Sequence, residues 1–240
     1  MMLTIQPTPL LTGARISGDY WDIDQLVNAI YYIAGDAKRY YDYQGARNRI
    51  LNMCYKLRQA TKGEEQIEYV ANGVNRGMQI KQKMMMPEKN IYFAANILWP
   101  ELLFTAIACN DFIRLHQELI DDSPWNQHIA TVRNFQALVA DSLLELIDEE
   151  HYAVFLHVLN EKTPAYFRYA TQYVDVLNIE YLALSQEERA AHLSAFAIRL
   201  VVEGEDYQLL LDQLMQAAKE TKHTLHELQI SLKYPDFIDW

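Results

Sequence analysis

Three groups of residues have the types and spacing to do chemistry. In the stretch Asn110-Asp111-Phe112-Ile113-Arg114-Leu115-His116-Gln117-Glu118, Arg114 lies three residues after Asp111 and four before Glu118. On a helix these three share a face and can pair. Polar groups on an otherwise apolar helix need partners, so the stretch is either a polar knot or the floor of a pocket. In a cleft, Asp111 is the first candidate for a catalytic carboxylate, with Arg114 and His116 beside it. The plainer alternative is the polar end of a helix leaving a core.

The second group is Glu220-Thr221-Lys222-His223, a Glu-x-x-His spacing followed one turn later by His226 and Glu227. Di-iron bundles use two such pairs plus two further glutamates. The one other offer, Asp148-Glu149-Glu150-His151, puts Asp where Glu is needed. Glu220, His223 and His226 are therefore metal candidates whose simpler reading is a solvated helix, and the expectation is no bound metal and no cofactor. The third group is His116 and His128 around Asp121-Asp122. These could gather on a cation or simply sit at helix ends, where His suits the dipole. Gly18-Asp19-Tyr20-Trp21-Asp22-Ile23-Asp24 offers three carboxylates without the spacing of a calcium loop, and reads as a cap. Phosphate loops, nucleophile elbows and Cys-x-x-Cys pairs are absent, which leaves the enzyme question open and leaning negative.

The central element is Asn90–Leu119. Ile91 to Ala95 reads as a strand, and a helix enters through Trp99-Pro100-Glu101, with proline in a first turn and an acid at the positive end of the dipole. From Leu102 to Cys109 only Thr105 is polar, so this helix is expected to be buried on several sides. Around it the spacing predicts strands at 2–5, 14–17 and 67–71, and helices at about 22–34 and 46–61. Val74 to Met86, after the turn dipeptide Asn72-Gly73, predicts a return strand. Beyond residue 122 the pattern is all helix, with starts at Ser123-Pro124, Thr163-Pro164 and Ser185, a stop at Gly204, and a last helix from Tyr207 to about Leu228.

The fold class is therefore α+β: a small, mostly antiparallel sheet with helices in the N-terminal half, and an all-helical C-terminal half packed around a buried central helix at about 100–119. Residues 1–122 form the α+β region and 123–240 the helical region, packed as one unit. Half of the 240 residues are hydrophobic, enough for a sizeable core. Cys54 and Cys109 sit in apolar helical patterns as buried free thiols. No apolar run suggests a membrane span or signal peptide, so the expected location is the cytoplasm.

The net charge of −11 is uneven. Residues 38–99 carry eleven Lys/Arg against five Asp/Glu, and residues 100–240 nine against twenty-three. An acidic surface together with sixteen tyrosines, Tyr40, Tyr41 and Tyr43 among them, favours a non-catalytic interaction or regulatory protein, immunity-like in character, with a protein partner or a second copy. The alternatives are a small-molecule enzyme or ligand binder using Asp111, Arg114 and His116, and nucleic-acid binding through the basic segment 38–89. The last is disfavoured because the overall field repels phosphates.

GDYWDIDQLVNAIYYIAG near the start and NILWPELLFTAIACNDFI in the middle resemble a bacterial family of unknown function. The resemblance covers about the first two-thirds of the chain. It implies no activity, cofactor or site residue.

Overall fold

The computed structural model describes residues 3–35, 37–83, 85–120, 122–160 and 165–240. Strands β1 (Thr4–Pro7), β2 (Gly13–Gly18), β3 (Gln66–Ala71) and β4 (Lys89–Leu98) form one antiparallel sheet in the order β1-β2-β4-β3. Ile16 lies opposite Ala95, and Tyr69 opposite Ile91. Gly13 lets β2 approach β4: a Cβ there would sit 2.0 Å from the Ile97 carbonyl oxygen.

Helices α1 (Tyr20–Ala34) and α2 (Gln44–Thr61) cover the sheet. Asp19 caps α1 in a capping box with Asp22. The chain leaves α1 at Gly35, whose φ of +58° needs a residue without a side chain. Helix α4 (Trp99–Ile120) then runs from the end of β4 through the middle of the molecule. Every residue from Leu102 to Ile113 is buried except Asn110, as its apolar circumference requires. Around it stand α5 (Gln127–Leu143), α6 (Glu149–Leu159), α7 (Gln172–Ala183) and α8 (Gln186–Arg199), while α9 (Glu205–Thr221) packs Tyr207 on Tyr169 of the 165–171 loop. One hydrophobic core draws on residues from Leu3 to Leu214, and Cys54 and Cys109 lie in it as free thiols.

Several expected elements differ. Val74–Met86 is not a return strand: Arg76–Gln82 is helix α3, capped by the Asn75 side chain accepting from Met78 N, and β3 pairs with β4. Alternation is rewarded only when one face is buried, and no residue of α3 is buried. Ser123-Pro124 makes a turn, and α5 starts later, capped by Asn126; of the two readings the pattern allows for 149–159, a continuation of α5 or a separate short helix, the second holds, with Asp148 as its cap. Thr163-Pro164 lies outside the described residues, and 165–171 are not helical, so α7 begins at Gln172. Gly204 does not close α8 but caps α9, which ends at Thr221 where Lys222 turns left-handed. Among the described residues no helix is long and apolar enough to cross a membrane.

Candidate functional site

A cleft lined by several charged groups opens where β4 becomes α4. It holds about 430 Å³ and is walled by α2, the β4–α4 junction, α7 and the segment 228–240. Its polar groups arrive from four places. Pro100 starts α4, which puts Glu101 in the first turn and off the strand's end. Arg49, Met53 and Lys56 recur at spacings of four and three along α2, so one stripe beside the core carries two cations. Asp175 and Asn178 are one turn apart on α7. Tyr234 comes from the 228–240 segment, which is fastened by Thr12 Oγ1 donating to the Asp239 carbonyl (2.6 Å) and by Gln172 Nε2 donating to the Leu228 carbonyl (2.8 Å).

Arg49 is the hub. Its Nη2 and Nη1 donate to Asp175 Oδ1 (2.5 Å) and Oδ2 (3.2 Å), a two-pronged clasp, and its Nε lies 3.5 Å from Glu101 Oε2. Asn178 Nδ2 donates to Tyr234 Oη (3.1 Å) and at 3.4 Å to Glu101 Oε2, and the Tyr234 hydroxyl donates to Asp175 Oδ1 (3.0 Å). Lys56 Nζ donates to the Asn96 carbonyl (2.7 Å) and lies 5.4 Å from the centre of the Trp240 ring. Two groups in this cluster remain unsatisfied: Arg49 Nε and Asn178 Oδ1 are shut from solvent and make no hydrogen bond.

Burial sets the proton affinities. Desolvation pushes the Glu101 carboxyl above the ordinary glutamate range although Arg49 pulls the other way. Desolvation likewise lowers the Lys56 ammonium, against the opposing pull of Glu65 and Glu101. Burial also raises the Tyr234 phenol, with Asp175 adding to it. A carboxyl made more basic and an ammonium made more acidic thus share one cleft.

The residues singled out from spacing lie elsewhere. Asp111 is buried and accepts from the backbone amides of Ala165 (3.1 Å) and Tyr166 (2.9 Å), fixing that loop to α4. Arg114 pairs with Glu118 (3.1 Å) and reaches the Tyr43 hydroxyl (3.3 Å). His116 contacts Asp122 (3.2 Å) in a knot with Tyr32, whose ring stacks on His128 at 4.4 Å. Asp121 lies outside the described residues. Asp111, Arg114 and His116 line neither this cleft nor the cavity beside α9. Of the tyrosines, Tyr40 and Tyr43 are core residues and Tyr41 is exposed. Glu220 accepts from Gln216 on the outside of α9, while His223 and His226 face a second cavity that also takes in Tyr41. Among the described residues no three His, Cys, Asp or Glu side chains gather as metal ligands would. Arg47 donates to the carbonyls of Ala34 and Gly35, Arg49 is committed in the cleft, and Lys81 lies on the exposed α3, so these basic residues do not line one track.

Spacing missed the cleft because its groups come from four separate parts of the chain. The signal that could have found two of them is the Arg49-Met53-Lys56 stripe, which borders the buried one. Fold and cleft together define an α+β protein with a charged cleft at a strand–helix junction. The chain belongs to the family described as a domain of unknown function (DUF6904), whose model matches residues 3–240. No curated protein and no solved structure matches it.

Proposed function

We propose that the protein binds a small polar molecule in the cleft beneath segment 228–240 and exchanges a proton with it through Glu101 or Lys56. The supporting observation is the company these groups keep: Glu101 and Lys56 line one open cleft of about 430 Å³ together with Arg49, Asp175 and Asn178. A structural ion cluster needs no open volume next to it, and apolar side chains of similar size often stabilise a fold as well or better. Arg49 holds Asp175 and Glu101 in place. The test is a panel of small amides, amino acids and hydroxy acids screened by ligand-observed NMR. Binding should vanish in Asn52→Trp, which plugs the cleft from an exposed wall position without touching the charge network. Hits that ignore Asn52→Trp, or no hits at all, would defeat the reading.

A second reading, a protein-interaction role, is favoured by β3. It is the sheet's edge strand and leaves Ile67, Tyr69 and Val70 exposed. An open edge of this kind can add a strand from a second copy. In the two-fold antiparallel register centred between Glu68 and Tyr69, no like charges face each other. Sedimentation over a wide concentration range should reveal a dimer that Tyr69→Lys abolishes; a monomer at every concentration removes the idea.

A further inference from the structure

A second and larger cavity, about 590 Å³, lies between the start of α2, the 165–171 loop and α9 with the short turn after it. That volume is within the range of sites for drug-sized molecules. Its wall and its rim differ in character. Tyr166 and Tyr169 are buried rings in contact with each other (centroids 5.0 Å apart), and Tyr169 stacks on Tyr207 at 4.7 Å. Opposite them, Leu211, Met215 and Ala218 recur along one face of α9. That helix buries only Tyr207 and Leu214 of its 17 residues, so much of its apolar side lacks protein to cover it.

The rim carries one ammonium and two imidazoles. Lys219, His223 and His226 stand on it, and Lys219 makes no ion pair among the described residues. The one carboxylate in the lining, Asp42, already accepts from Arg168 Nε at 2.7 Å. Glu227, beyond the lining, is held by Thr224 N and Oγ1, although its field reaches both histidines. Arg168 carries a left-handed φ of +52°, with its amide donating to the Asp42 carbonyl at 2.7 Å. Such conformations cost energy for a residue with a side chain and persist where surrounding contacts hold them.

We infer that this cavity is a separate binding site for an amphipathic anion: an apolar chain or ring lying between the two tyrosines and α9, with a carboxylate or phosphate head at Lys219 and the two histidines. The apolar wall supplies most of the affinity by removing hydrocarbon from water, and the uncommitted ammonium selects the sign of the head. Isothermal titration with decanoate, decyl phosphate, decanol and decylamine tests this directly. One equivalent of decanoate or decyl phosphate should bind, with decanol about tenfold weaker and decylamine weaker still, the tenfold step corresponding to one charge-assisted contact. The carboxylate and phosphate arms separate the two kinds of head. Lys219→Glu should weaken both anions at least about tenfold, and Leu211→Trp should abolish binding by filling the cavity, while Asn52→Trp in the other cleft changes nothing. Equal binding of all four probes, no binding at millimolar concentration, or binding that survives Leu211→Trp in a protein with an unaltered melting temperature overturns the inference.

Discussion

The two cavities are built by opposite rules. In the cleft at the strand–helix junction, charges sit deep and hold one another: Arg49 clasps Asp175, and Glu101 is largely out of water with 20 % of its side chain exposed. In the larger cavity the deep wall is aromatic and aliphatic, and the charges stay on the rim. Buried charge is expensive unless paired, so a chain that places it beside open volume gains chemistry at a cost in stability. Rim charge costs little and serves selection. The first region is therefore read as a place for proton exchange and the second as a place for binding alone.

The largest test of this contrast is Arg49→Leu. It leaves two carboxylates without their cation in a poorly hydrated cleft and should cost about 3–5 kcal/mol in denaturant unfolding at neutral pH. The matching change on the other rim, Lys219→Leu, should stay within about 0.5 kcal/mol. Equal costs would erase the distinction. Tyr234→Phe comes next: the hydroxyl bridges Asn178 and Asp175, and its loss should cost about 1 kcal/mol, because each partner keeps a second contact, Asp175 with Arg49 and Asn178 with Glu101. Glu101→Gln should have a smaller effect, one that changes with pH. Burial raises this carboxyl in the folded protein relative to the unfolded chain, so the protonated form favours folding. Its contribution is present at acid pH and is lost as pH rises through the folded value. The variant, which stays neutral, should gain on the wild type in urea titrations as pH rises above about 4.3; a variant that falls behind as pH rises would mean Glu101 is held as an anion. The smallest effect is expected at Ile80→Ser on the exposed α3, within about 0.5 kcal/mol.

How much of this was legible in the sequence follows from where each signal resides. The α4 helix announced itself, because an apolar circumference after Pro100-Glu101 has no reading except burial. Strand β3 and the helix start at Ser185 were legible because their signals are local, while the edge position of β3 was not, since 74–86 read as its partner strand. Helix α3 was misread because Met78 and Ile80 alternate with Gln79 and Lys81 as a strand would, while burial, which decides register, is absent there. The cleft was invisible because Arg49, Glu101, Asp175, Asn178 and Tyr234 are brought together only by packing. Asp111, the most suggestive carboxylate by spacing, serves two backbone amides of a distant loop, a role that no periodicity encodes. His223 and His226 were noticed for a metal spacing; what they share in the fold is the rim of a cavity that Tyr41 also lines.

The measurement that bears most directly on the central reading is a side-chain carboxyl ¹³C NMR titration of Glu101 in the intact protein. The account predicts a midpoint above that of an ordinary glutamate, near 4.3, and a further displacement when a cleft ligand is added. A midpoint below the ordinary value, unmoved by any ligand, would make Glu101 the fixed counter-ion of Arg49 and the cleft a structural ion cluster.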